Sequence, residues 1–287
     1  MKAPPERDEP SRIPADARLM EGKIGVVTGA ASGIGAGIAS ALAWQGARLV
    51  LVDRDRRAAE ETASLVADRG AIRPDVLVLD VTEPDAPSAI AAAAEQAGGA
   101  DLLVNNVGDF RPAGPFLDSE PEQWALSYRL NFGHVVSVTH ALLPGMVARG
   151  RGAILNVSSV EGMRGIPGNA VYGAMKAAVI SFTASLASEV GQYGIRANAI
   201  APDFTDTAQT PMWASTDEKY ADHVGKWVPA GRFGHPRDHG DAALFLLSDQ
   251  ASWITGVTLR VDGGTLASPG WFRRDETRYT NLPRPLR

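Results

Sequence analysis

The stretch Thr28-Gly29-Ala30-Ala31-Ser32-Gly33-Ile34-Gly35 decides the fold of this chain. It follows at once on Lys23-Ile24-Gly25-Val26-Val27, an apolar run of the length of a buried strand. The glycines let the backbone turn sharply and approach a ligand closely, while the N–H groups opening the next helix point at an anion such as a pyrophosphate. Ile34, Ile38, Ala41, Leu42 and Gln45 recur at helical spacing, and Gly46 is placed to end that helix. A second strand, Leu49-Val50-Leu51-Val52, ends in Asp53, at the distance past the turn where a carboxylate accepts from the ribose hydroxyls of an adenine nucleotide. Strand, glycine turn, helix, strand and terminal acid predict a dinucleotide site on Gly29, Ser32, Gly33, Ile34, Gly35 and Asp53.

The same alternation continues outward. Further strands are expected at 76–79, 102–105, 154–157, 196–200 and 258–261, giving seven with helical stretches between them. Strands apolar on both faces and separated by helices predict an α/β fold: a single-domain, Rossmann-type, doubly wound seven-stranded parallel sheet with helices on both faces. Ligands collect at the carboxyl ends of such strands, where Gly29, Asp53, Asp80, Asn106, Ser159 and Pro202 fall. Asp80 and the neighbouring Val81 join the expected nucleotide contacts. Residues 1–20, rich in Pro, Arg, Asp and Glu, read as a flexible extension, 21–264 as the folded domain and 265–287 as a C-terminal extension. The last holds Trp271, Phe272, Tyr279 and Leu282, side chains that gain from burial, so it is expected to dock on protein at a subunit interface.

Tyr172 and Lys176 stand four apart, which places a phenol and an ammonium on one helix face. A free tyrosine titrates near ~10, so a general acid or base near neutral pH needs help, and an adjacent cation favours phenolate. The expectation is that Lys176 lowers the Tyr172 pKa.

With these residues the chain resembles the short-chain dehydrogenase/reductase family over about residues 20–264. The family's Thr-Gly-x3-Gly-x-Gly is matched by Thr28, Gly29, Gly33 and Gly35, and its Tyr-x3-Lys by Tyr172 and Lys176. Asn105-Asn106-Val107-Gly108 matches its Asn-Asn-Ala-Gly, Asn131 its helix asparagine, and Ser159 the serine thirteen residues before the tyrosine. The resemblance implies Asn131, Ser159, Tyr172 and Lys176 as the catalytic set. Tyr172 moves the proton, Ser159 holds the substrate oxygen, Lys176 also binds the nicotinamide ribose, and Asn131 holds a water in a proton relay. It further implies nucleotide contacts from Asn106, Val107, Gly108, Pro202, Thr205 and Thr207, and assembly as a homodimer or homotetramer through the last strand and the helices at 121–149 and 170–193. Two departures stand out: Val107 replaces the usual Ala, and Pro202-Asp203 replaces the usual Pro-Gly. Asp203 is either a tolerated turn residue or a charge that tunes the pocket.

The expected activity is NAD(H)-dependent interconversion of a secondary alcohol and a ketone by hydride transfer. Asp53 accepts from a free 2′-hydroxyl and repels a 2′-phosphate, and Ser32 supplies no cation for one, whereas Arg54 could pair with it; NAD is expected, with NADP possible. The alternatives are an NADP-dependent 3-oxoacyl thioester reductase, which a basic patch beside the lid would support, and a dinucleotide-binding sensor or scaffold without turnover. Phe110, Glu161, Met163, Ile166, Asp203, Phe204 and Trp213 are expected at the substrate pocket, with 207–228 as a lid. Glu161 either faces the substrate or caps the turn that follows. His235 and His239 read as a solvent-facing pair, and no metal site is expected.

Composition narrows the rest. The chain of 287 residues has a formal charge of −5, against a nucleic-acid partner, and its lack of cysteine excludes disulfides and thiolate chemistry. No signal-like N-terminus or apolar run approaching a membrane span is read, so no membrane partner and a cytoplasmic location are expected.

Overall fold

The computed structural model describes residues 17–212, 216, 223–267 and 270, and the backbone of 272–273 and 279–280. Residues 1–16, Trp213, Trp271 and Leu282 lie outside the described residues.

Seven strands form one parallel sheet: β1 Ile24–Thr28, β2 Arg48–Asp53, β3 Asp75–Val78, β4 Leu102–Asn105, β5 Gly152–Val157, β6 Ile195–Pro202 and β7 Thr258–Val261. Their order is β3-β2-β1-β4-β5-β6-β7, so the chain reverses its winding between β1 and β4. Each expected strand is present within two residues at either end. Between them run α1 Gly33–Trp44, α2 Arg56–Asp68, α3 Ala86–Ala97, α4 Pro121–Tyr128, α5 His134–Arg149, α6 Ala170–Val190, α7 Val224–Trp227 and α8 Pro236–Leu247.

Alternation along the strands divides the core. Val27, Leu49 and Leu51 pack with Ile38 and Leu42 of α1 and Leu244 of α8 on one face. Val26, Val50 and Val52 pack with Ile90 of α3, Val138 of α5 and Leu186 of α6 on the other. Burying one such side chain contributes roughly 1.5–3 kcal/mol, which is why a run apolar at every position is stable only between two helical layers.

Two expectations need correction. The helix expected over 121–149 is broken by a π-helical turn at Arg129–Gly133, which carries Asn131 fully buried. A π turn inserts a residue into the helical ladder and re-aims the side chains on it. Ala170–Tyr193 is, by length and a mean hydropathy of 1.4, apolar enough for a membrane span. It carries buried Lys176 and packs on β6, and about a third of its apolar window (33%) is buried. In the tail, the backbone forms a short antiparallel hairpin, Phe272–Arg273 with Tyr279–Thr280, and its first strand lies against α7 of the same chain.

Candidate active site

A cavity of about 700 Å³ runs along the carboxyl ends of the strands, from Asp53 past Asn106 to Tyr172 and Phe204. At one end the glycine turn forms its floor. Gly29 has φ +65°, a left-handed conformation, and a Cβ on Gly35 would run into the Gly29 carbonyl. Asn106 clamps this turn, its Nδ2 donating to the carbonyls of Thr28 (3.1 Å) and Gly29 (3.0 Å). Asp53 ties the turn to the next strand: Ala31 N–H donates to Oδ2 at 2.9 Å and Asp55 N–H to Oδ1 at 3.0 Å. Arg54 reaches Asp80 at 3.6 Å across this end and is largely exposed. Thr82 donates twice to Asp80, and these bonds outweigh burial to hold its carboxyl below the usual range. Ser32, at the start of α1, makes no side-chain cap, so the first N–H groups of the helix are left to a ligand.

The residues fit a dinucleotide. The glycine floor leaves no room for a side chain, the open helix end suits a diphosphate, and the Asp53 end lies within the same cavity as Tyr172. Ser32, Gly33, Ile34, Val81, Val107, Gly108, Pro202, Thr205 and Thr207 also line it, whereas Gly35 lies beneath.

At the other end stand Ser159, Tyr172 and Lys176. The Ser159 hydroxyl hydrogen-bonds the Tyr172 phenol and accepts from Glu161 N–H at 3.1 Å. Lys176 Nζ donates to the Val157 carbonyl at 3.0 Å and lies 5.8 Å from the Tyr172 ring centroid. The expected lowering of the phenol is not what this environment produces. Burial pushes Tyr172 up to about 12 against the Ser159 hydrogen bond, and Glu161, Asp109 and Asp203 add to the rise. Burial also brings Lys176 down to about 8.

Asn131 sits close behind, but its amide is committed: Oδ1 accepts from Asp109 N–H at 3.0 Å, and Nδ2 donates to the carbonyls of Asp109 (2.9 Å) and Ser127 (3.0 Å). The side chain therefore shapes the loop after β4, with one acceptor position of Oδ1 remaining beyond these bonds. Beside it, His134 bonds the Val107 carbonyl at 3.0 Å, which requires the proton on Nε2. Burial, then the nearby Lys176 charge, bring this imidazole down to about 4.

In the substrate half, Phe110 meets Tyr172 edge to face at 6.4 Å, and Ile166, Phe204 and Met212 add apolar lining. Met163 does not line the cavity; at 38 % exposure it points outward from the turn after Ser159. Glu161 does line it, and its carboxylate takes Arg164 as a fork, Nη2 to Oε1 at 2.8 Å and Nε to Oε2 at 3.3 Å. Arg164 also donates to Asp203 Oδ2 at 3.1 Å, as does the Thr265 hydroxyl. Asp203 is thus more than a turn residue. Its neighbours Thr205 and His239 continue inward: Thr205 donates to the Asp203 carbonyl and lies 2.8 Å from His239 Nε2, which therefore carries the proton. His239 is fully buried and brought by burial to about 4. It is not solvent-facing, because His235 is the N-cap of α8 and His239 lies one turn inside, against Thr205 in the segment after β6. From the lid, Gln209 Nε2 reaches over to the Gly108 carbonyl at 3.1 Å.

The sequence reading missed Arg164, Thr265, Asp109 and the burial of His239. Their roles come from contacts across up to 62 positions of sequence, and no local spacing announces them.

Comparison with known proteins follows this geometry. A family model described as Enoyl-(Acyl carrier protein) reductase matches residues 29–265. The chain is 38% identical over 246 residues to the 3-oxoacyl-[acyl-carrier-protein] reductase FabG of Vibrio cholerae, covering 85% of this chain and 98% of that protein. Among solved structures it is similar to a gluconate 5-dehydrogenase from Burkholderia cenocepacia in complex with NADP and tartrate, with TM-score 0.80, 34% identity and coverage of 88% and 99%. A 3-oxoacyl (acyl-carrier-protein) reductase from Agrobacterium tumefaciens with NADP bound gives TM-score 0.81 at 28% identity, covering 87% of this chain and 96% of that one.

Proposed function

The chain belongs to the short-chain dehydrogenase/reductase family, and on that premise we propose that it reduces a carbonyl group to a secondary alcohol, reversibly, with Tyr172 as general acid and base. The observation that carries this is the convergence of Ser159, Tyr172 and Lys176 at one end of the cavity whose other end is built for a dinucleotide. When bound, the nicotinamide supplies or accepts the hydride. The chain handles the oxygen. Ser159 donates to it as charge builds there, and Tyr172, protonated through the neutral range, delivers the proton. Lys176 lies under the phenol, where it binds the ribose and offsets phenolate charge after transfer. A sensor without turnover would have no use for this set.

For substrate and cofactor, the relatives' names favour an NADP-dependent reductase of 3-oxoacyl thioesters, and we take that as the leading reading. Arg54, exposed and paired with Asp80 at 3.6 Å, can turn to a 2′-phosphate. A second reading, an NAD-dependent dehydrogenase of a polar secondary alcohol, rests on two observations. The Asp53 carboxylate stands where the ribose would bind, and the cations beside the substrate half, Arg111 and Arg164, are already paired with Asp109, Glu161 and Asp203. Initial rates on an acetoacetyl thioester with NADPH and with NADH test the choice. The leading reading expects turnover with NADPH at least about tenfold more efficient; preference for NADH, with poor use of the thioester, selects the second.

A further inference from the structure

The position after Pro202, usually glycine in this family, is Asp203 here, and it is built into the cavity wall. Its side chain is only 6 % exposed. Both of its protein donors, the Arg164 guanidinium and the Thr265 hydroxyl, fall on Oδ2. Among the described residues none is seen to donate to Oδ1, and Oδ1 is not one of the buried side-chain atoms left without a partner, so it is open to the cavity that Asp203 lines. Arg164 does not line the cavity. Its fork is closed on Glu161, and it holds Asp203 from behind. Two carboxylates share this one guanidinium, so the Glu161–Asp203 wall carries an excess negative charge and presents an acceptor. Such a wall favours a hydrogen-bond donor and disfavours an anion. Ser159 N-caps the turn that leads to Glu161, and its hydroxyl lies 3.5 Å from the Pro202 carbonyl, so the acceptor wall adjoins the reacting oxygen's binding site.

We propose that Asp203 is a specificity-determining residue whose free carboxylate oxygen accepts a hydrogen bond from a hydroxyl group of the substrate, next to the carbonyl that is reduced. Arg164 and Thr265 are positioning residues that fix the carboxylate. The proposal rests on the hydride-transfer reading and on neither choice of cofactor, and it favours the second substrate reading, a polar secondary alcohol, over the thioester.

Matched ketones with and without a neighbouring hydroxyl test it: acetone against hydroxyacetone, and cyclohexanone against 2-hydroxycyclohexanone, each with NADPH and NADH. The variants are D203N, which keeps an oxygen for Arg164 and Thr265 but turns an amide donor toward the substrate, and D203G, which restores the family's residue. Melting temperature and nucleotide affinity establish that each variant is folded. In the natural protein the hydroxylated ketone should have a kcat/KM about tenfold or more above its partner, and this ratio should fall about tenfold in both variants. Equal use of the two ketones by the natural protein, or a ratio unchanged in folded D203N, overturns the assignment of Asp203 and leaves the reductase reading intact. Absence of hydride transfer to every ketone, by protein that binds nucleotide, overturns that reading and this proposal with it.

Discussion

The two halves of the cavity are built in opposite ways. The nucleotide half is made of backbone: glycines 29, 33 and 35, the open end of α1 and a carboxylate that braces the turn, all within the first two strands. The substrate half is made of side chains that meet from β5, β6, the turn before α6 and the segment after β7. Backbone geometry is rigid and tolerates little change, whereas a side-chain wall changes specificity by single substitutions. A fold of this kind therefore keeps its cofactor and varies its substrate.

The largest expected effect lies on the rigid side. Gly35→Val would drive its side chain into the Gly29 carbonyl and displace the turn, and nucleotide affinity measured by calorimetry should fall by on the order of 100-fold or more. A change under threefold would mean that the turn is as adaptable as the opposite wall.

Next comes the buried histidine beneath Thr205. His239 has its folded pKa lowered to about 4 by burial, so the unfolded chain, titrating near the ordinary ~6.5, binds the proton first. The stability it contributes is complete above pH ~6.5 and is lost as pH falls through that value toward 4, on the order of 3 kcal/mol in all. His239→Gln keeps a donor for Thr205 and removes the titration, and denaturant unfolding between pH 7.5 and 4.5 should show a shallower loss than the natural protein. An identical slope would place the acid sensitivity elsewhere, His134 being the other buried imidazole.

A smaller effect is expected from Asp53→Asn, which keeps an acceptor oxygen but removes the charge. The ratio of NAD to NADP affinity should shift toward NADP by about tenfold. No shift would show that Arg54 and Asp80, and not Asp53, set the choice at that end.

The contrast between the halves also explains what the sequence disclosed. The seven strands, the glycine turn, Asp53 and the Tyr172–Lys176 pair are readable because periodicity, turn chemistry and short fixed spacings encode them, whereas Asn106 and Ser159 were legible through the family resemblance. Asp203 stood out as a departure, but its partners did not: Arg164 lies 39 residues before it and Thr265 62 after. Met163 was placed in the pocket because it follows Ser159 closely, yet the short 3₁₀ turn Val160–Gly162 carries it outward. The His235–His239 spacing suggested one surface, and the N-cap at His235 put the pair on different surroundings. For Tyr172, the neighbouring lysine was visible in the sequence, whereas the burial that outweighs it belongs to the tertiary fold.

The proton-transfer assignment is tested most directly by Tyr172→Phe. Nucleotide affinity and single-turnover hydride transfer to a carbonyl substrate would be measured side by side on the natural protein and the variant. The nucleotide dissociation constant should stay within about threefold while the transfer rate falls on the order of a thousandfold, because only the proton-donating oxygen is removed. Transfer within threefold of the natural protein, at unchanged nucleotide affinity, would contradict the account and move the general acid to another residue of the cavity.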